Sequence, residues 1–168
     1  QVRLDWGTGV VPPTGETFIG WTDGSQMYYP GTLYTMVGNT TMTAVYGDVS
    51  NMIAVRLHAN HERNSTVRTI YINPGSSLTL PGAVFSDPLG TDKMTNWNSS
   101  ADGSGTEYAL AQPDIEVQAE MDFYAQWDKK GVTVNFIAGA GGRLEGGANL
   151  WEDVPAGTLW ATAAGENG

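Results

Sequence analysis

Met94-Thr95-Asn96-Trp97, the turn Asp102-Gly103-Ser104, Tyr108 and the run Asp122-Phe123-Tyr124-Ala125-Gln126-Trp127 form the stretch on which the fold turns. The same order occurs earlier in the chain. Phe18-Ile19-Gly20-Trp21 is followed by Asp23-Gly24-Ser25, by Tyr29, and by Thr41-Met42-Thr43-Ala44-Val45-Tyr46. Each copy reads as Trp, a DGS turn, Tyr, and an alternating strand that ends on an aromatic. Trp97 lies 76 positions after Trp21, and Trp127 lies 81 after Tyr46. Self-similarity at a fixed period signals a tandem architecture.

A second self-match carries the other half of the repeat. Ala54-Val55-Arg56-Leu57 opens a strand and Pro74-Gly75-Ser76-Ser77-Leu78-Thr79-Leu80 follows. Later, Thr133-Val134-Asn135-Phe136 opens a strand and Pro155-Ala156-Gly157-Thr158-Leu159-Trp160 follows. Pro155 lies 81 positions after Pro74. Boundaries therefore fall near Val49-Ser50-Asn51 and Lys129-Lys130-Gly131. They divide the chain into a short first unit (1–48), a complete middle unit (52–128) and the opening half of a further unit (132–168). The first unit either lacks its opening part or begins with Val2-Arg3-Leu4, which echoes Val55-Arg56-Leu57. The last residues, Ala163 to Gly168, read as tail or linker, so the chain reads as a piece of a longer protein or as one whose partial ends another copy completes.

Alternation of period 2 predicts a mainly β protein. Met42, Ala44 and Tyr46 share one face of their strand, as do Phe123, Ala125 and Trp127. Ile53, Val55 and Leu57 form another such face, and Val132, Val134 and Phe136 a further one. Val67–Ile72 carries apolar residues on both faces and suits a strand covered on both sides. Turn dipeptides separate these runs, among them Asp23-Gly24, Pro30-Gly31, Pro74-Gly75, Pro81-Gly82 and Asp102-Gly103. No long 3.6-residue apolar period occurs. Pro81–Phe85 and Asp114–Glu120 are the two short-helix candidates, at most one helix to a unit in an α+β variant of the fold. Units of this size support only a small core, and large aromatics compensate by burying roughly 150–250 Å² each.

The chain has 168 residues with 8 Lys+Arg against 18 Asp+Glu, a formal net charge of −10. That balance argues against nucleic acid and against anionic lipid as partners. With no Cys, thiolate metal sites, disulfides and cysteine nucleophiles are excluded. No apolar run approaches the roughly 18 residues of a membrane span.

Residues 94–127 resemble the end of the Listeria–Bacteroides repeat, known also from internalin B. That family has a Gly-Trp pair, a DGSG turn and a closing strand similar to T-L-Y-A-Q-W. Here these are Gly20-Trp21, Ala101-Asp102-Gly103-Ser104-Gly105 and Asp122-Phe123-Tyr124-Ala125-Gln126-Trp127. The family's V-x-F opening and Gly-rich turn are matched by Val134-Asn135-Phe136 and Gly139-Ala140-Gly141-Gly142. Asn96 replaces the Gly before Trp97, Tyr46 replaces the final Trp, and the middle unit carries His61-Glu62-Arg63-Asn64 where the Gly-rich turn is expected. The resemblance implies tandem small β-grasp-like modules on a secreted bacterial surface protein, set between an anchor and a binding head.

Residues with chemical potential have plain alternatives. His58-Ala59-Asn60-His61-Glu62 is the one cluster of metal-type ligands, but strand alternation puts i and i+3 on opposite faces, so no metal site is expected. Asp23 and Asp102 could offer oxygens to Ca²⁺, yet Asp-Gly suits a hairpin turn. Asp114, Glu116, Glu120, Asp122 and Asp128 could include a glycosidase pair, but nothing marks two of them as convergent in a cleft, and an acidic solvated face is the ordinary explanation. No nucleophile elbow or phosphate loop occurs. Of six Trp, the repeat assigns Trp21, Trp97 and Trp127 to cores. Trp6, Trp151 and Trp160 lie in the incomplete units and are the interface candidates.

The expectation is a non-catalytic extracellular segment of a bacterial surface adhesin, serving as stalk or spacer and able to self-assemble head to tail into a filament. It needs no cofactor. Its partners are proteins, copies of itself, or host or cell-wall glycans. The alternative is a carbohydrate- or protein-binding module that uses exposed aromatics.

Overall fold

The computed structural model describes residues 1–129 together with the strands Val132–Asn135 and Leu150–Val154. In chain order the strands are β1 (Val2–Arg3), β2 (Thr17–Thr22), β3 (Met27–Tyr28), β4 (Leu33–Tyr34), β5 (Thr43–Gly47), β6 (Ile53–His58) and β7 (Val67–Ile72). They continue with β8 (Ser77–Leu78), β9 (Lys93–Asn98), β10 (Glu107–Ala109), β11 (Ile115–Glu116), β12 (Met121–Asp128), β13 (Val132–Asn135) and β14 (Leu150–Val154).

Five strands of the middle unit form one sheet in the order β10-β9-β12-β6-β7, and β8 pairs with β11 apart from it. At the centre, β12 runs parallel to β6, with Met121 opposite Val55 and Tyr124 opposite His58. Antiparallel neighbours flank this pair on both sides. The alternation seen in the sequence becomes a two-faced sheet. Val55, Leu57, Ile70, Ile72, Phe123, Ala125 and Trp97 are buried on one face, against Leu78, Leu80, Phe85 and Val117. The other face is polar: Arg56 pairs with Glu120 at 2.9 Å, His58 with Asp122 at 2.6 Å, and the His58 ring stacks on Tyr124. Val67 on β7 is exposed, so this strand is covered on one face rather than both.

The described residues contain no helix. Pro81–Phe85 is a bend, and Asp114–Glu120 holds β11, where Ile115 pairs with Leu78. Both segments carry their apolar side chains down onto the sheet as extended chain. A single helical turn here would leave one or more of Leu80, Phe85, Ile115 and Val117 facing away from the core. None of the described residues forms a helix long and apolar enough to cross a membrane.

The first unit repeats the second half of this architecture. Its sheet runs β3-β2-β5 and a separate ladder joins β1 to β4. Trp21 stands opposite Tyr28 and Ala44, as Trp97 stands opposite Tyr108 and Ala125. The register slips at the same place in both: between Phe18 and Gly20 on β2, and opposite the step from Gln126 to Trp127, between Met94 and Asn96 on β9. This bulge brings two residues three apart onto one face, so Met94 joins Trp97 in the core and Phe18 lies edge-on to Trp21 at 5.3 Å.

One expectation is corrected. Val2-Arg3-Leu4 is not the counterpart of Val55-Arg56-Leu57. It corresponds to Leu78-Thr79-Leu80: β1 pairs with β4 as β8 pairs with β11, and Leu4 N donates to Thr32 O as Leu80 N donates to Gln112 O. The Trp21 Nε1–H bonds Asp5 O at 2.7 Å and the Trp97 Nε1–H bonds Pro81 O at 2.9 Å, again 76 positions apart. The mistaken echo arose because Val-Arg-Leu is a common strand pattern, whereas its pairing partner identifies the strand. The first unit thus has counterparts of β8 to β12 and, among the described residues, none of β6 and β7.

Candidate functional site: an open groove and a buried charge network

What the middle unit fills with β6 and β7 is open in the first unit. A groove of about 260 Å³ runs between the two small ladders, lined by Val2, Leu4, Trp21, Tyr34, Met36 and Met42 among others. Strand pairing matches these to Leu78, Leu80, Trp97, Ile115, Val117 and Phe123, all of them buried. The difference is the cover. Val117 is 0% exposed and Leu78 1%, but Met36 is 59% exposed and Val2 42%. An apolar concavity with its own aromatic floor is an unusual surface for water to wet. Beside it, among the described residues, β5 has no strand on its outer edge.

Trp6 lies between the units. Its ring packs on the middle unit's core and receives the Arg68 guanidinium at 4.7 Å from the ring centre. Arg68 Nε is buried without a hydrogen-bond partner among the described residues, and burial pushes this guanidinium below its ordinary pKa; the ring face takes part of that desolvated charge. As an interface candidate, Trp6 is therefore engaged within the chain. Trp151 lies on β14, where the backbone pairs it with Val134. That is the register position held by Ile70 opposite Val55. Trp160, Phe136, the Gly139–Gly142 turn and the Pro155–Trp160 match lie outside the described residues.

The histidines part company. His58 bonds Asp122 on the outer face, whereas His61 is buried with its Nε2 3.0 Å from Asp92 Oδ2. His61, Glu62 and Asp92 bring one ligand atom each within 4.8 Å of the others. However, a cation already serves these carboxylates: Arg63 bonds Asp87 at 2.8 Å, Asp92 at 3.1 Å and Glu62 at 3.0 Å. Arg63 chiefly, with the Thr91 hydroxyl and backbone N–H groups, holds Asp87 far below the usual carboxylate range. The network pins the β6–β7 connection to the 86–92 loop, with Asn64 Nδ2 donating to Ser86 O. Sequence reading found His61 and Glu62 but not Arg63, Asp87 or Asp92, whose partners lie 24 and 29 residues from Arg63.

Both DGS segments are hairpin turns. Asp23 Oδ1 accepts from the Ser25 N–H and hydroxyl, and Asp102 Oδ1 accepts from the same groups of Ser104. These bonds lower both carboxyl pKa values and engage one oxygen of each carboxylate. Of the acidic set, Glu120 and Asp122 are tied to Arg56, and Glu116 accepts from Gln118.

No protein-family model, curated protein or solved structure matches the chain.

Proposed function

We propose that the chain is a run of tandem β-grasp-like modules of the Listeria–Bacteroides repeat kind, and that it serves as a non-catalytic stalk or spacer of an extracellular bacterial surface adhesin. The order of the five-stranded sheet supports the β-grasp reading: first and last strands of the unit are central, parallel and adjacent, with a hairpin on each flank. A Cys-free, acidic composition and carboxylates tied to Arg56 and Arg63 agree with a structural role outside the cell.

One observation carries the mechanical part. The unit enters through β6 and leaves through β12, and these two strands pair in parallel. Tension along the chain pulls the start of one strand against the end of its neighbour. The inter-strand hydrogen bonds are then loaded in shear and must fail together, whereas an antiparallel terminal pair would peel one bond at a time. This arrangement suits a spacer under load.

Single-molecule pulling tests it, helped by the lack of native Cys. Handles on Asn51→Cys and Lys129→Cys load β6 against β12 in shear; handles on Asn51→Cys and Glu120→Cys pull both strands from the same end and unzip them. The expected result is a rupture force several-fold higher in the first geometry, with roughly 26 nm of chain released at about 3.4 Å per residue. Equal forces in the two geometries would refute the load-bearing role.

A specific feature favours the binding alternative as second reading. The stacked His58 and Tyr124 rings edge a shallow cleft with Asn60, Asn64, Ser65 and Thr66, a combination of ring face and hydroxyl or amide groups suited to sugars. Glycan-array binding that disappears in Tyr124→Ala would support it.

A further inference from the structure

We infer that Arg68 and Arg3 form an oxyanion-binding site in the seam between the middle and first units, taking a phosphate, sulfate or carboxylate group against their guanidinium forks. The site goes beyond the spacer reading and does not rest on it.

The chain has acids to spare and spends them elsewhere. Four Arg lie among the described residues. Arg56 is paired with Glu120 and Asp122, and Arg63 with Asp87, Asp92 and Glu62. Arg68 and Arg3 make no ion pair among the described residues, although the chain has 18 Asp+Glu against 8 Lys+Arg. Asp5 is the acid whose charge reaches Arg68, but its Oδ1 accepts the Thr8 N–H at 2.6 Å.

Arg68 is held in place without being neutralised. Its guanidinium carbon lies 4.7 Å from the centre of the Trp6 ring and 5.8 Å from that of Phe85. The Nε is closed off from water with no acceptor, while the terminal nitrogens, likewise without a partner among the described residues, keep access to solvent. Arg3 comes to the same place. Its Nη1 donates to Gly31 O at 3.0 Å, and Gly31 lies against the Trp6 ring. Its Nη2 has no acceptor among the described residues and lies 3.6 Å from where a Gly82 Cβ would sit, so the missing side chain leaves room beside the fork. Both guanidinium groups thus gather around Trp6 and the Pro81–Phe85 bend.

Two partly desolvated cations of like charge disfavour each other and call for a counter-ion. A guanidinium fork matches an oxyanion with parallel, charge-assisted hydrogen bonds. Arg3 stands on β1 and Arg68 on β7, so an anion held by both also ties the first unit to the middle one.

Titration of the 168-residue chain with sodium phosphate, sulfate or acetate tests this, with chloride holding the ionic strength constant and the arginine Nε–H signals followed by NMR. The expected result is a saturable shift of the Arg68 signal with at least one of these anions, while Arg56 and Arg63, already paired with carboxylates, stay in place. Arg68→Gln and Arg3→Gln should each weaken the binding about tenfold, the value of one charge-assisted contact. If Arg68→Gln loses the dispersed spectrum of the folded chain, Arg3→Gln decides alone. Dextran sulfate bound more tightly than free sulfate, with neutral dextran inert, identifies the charged substituents of an acidic glycan as the source of the group; a polymer bound no better identifies the free ion. No saturable shift with any anion, an equal shift at Arg56, or an affinity unchanged in Arg3→Gln overturns the inference.

Discussion

Phe123 and Met42 occupy the same position in two units, one closed and one open, and truncating each measures what the hairpin cover contributes. Phe123 is fully buried, opposite Leu57 on β6 and edge-on to Tyr108 at 5.1 Å. Phe123→Ala leaves a sealed cavity that its neighbours cannot fill, which costs about 3–5 kcal/mol. At about 4–8 °C per kcal/mol for a unit of this size, its melting temperature should fall by roughly 20 °C. Met42 is half-buried and lines the groove. Met42→Ala widens a space already open to solvent, so only an area term is lost. Half of the roughly 1.5–3 kcal/mol for burying such a side chain is about 1 kcal/mol. Urea unfolding followed by far-ultraviolet circular dichroism and Trp fluorescence, at concentrations too low for association, gives both values. Losses equal within about 0.5 kcal/mol would refute the reasoning, since they would mean that Met42 already sits in a closed core.

Two further outcomes follow from the charge network and the turns. Asp87 is ionised well below the usual carboxylate range because Arg63 bonds it; with its folded pKa depressed, the stabilisation is complete above the unfolded value near 3.9 and is lost as pH falls below it. The urea midpoint of the middle unit should stay level from pH 8 to about pH 5 and drop below about pH 4; Arg63→Gln should lower the plateau and flatten the acid limb, and an unchanged limb would contradict the assignment. Gly31 holds φ +80° with the Trp6 ring 2.6 Å from where a Cβ would sit, so Gly31→Ala should destabilise by roughly 1–3 kcal/mol in thermal melts monitored by Trp6 fluorescence. Its counterpart Ala111 already carries the strained φ of 59°, and Ala111→Gly should be neutral or slightly stabilising.

The strands were legible because they rest on local pattern. Alternation at Phe123, Ala125 and Trp127 marked a strand that the ladders contain, whereas the Trp–turn–Tyr order chose Tyr29 and the ladder instead sets Tyr28 opposite Trp21, as Tyr108 stands opposite Trp97. Pairing partners were less legible. Val2-Arg3-Leu4 resembles two different strands in sequence, and only its bonds to residues 32–34 distinguish them. The bulge near Ile19 and Thr95 was invisible because a single slipped residue makes an i, i+3 pair look helical or random. The helix candidates failed for a related reason: a short segment with two or three apolar residues next to a proline suits extended chain lying across a sheet as well as a helix. The Arg63 network left no signal, since its acids are distant in sequence and ordinary in composition.

The seat of Trp6 on Arg68 also orders events during synthesis. Residues 1–48 leave the ribosome before residues 52–128, yet Trp6 closes on Arg68 and on the core that Leu80, Phe85 and Phe123 complete. That segment must therefore wait, partly assembled, until some eighty further residues have emerged. Residues 1–48 are finished after residues 52–128, and any factor that shields nascent hydrophobic surface has a prolonged task there.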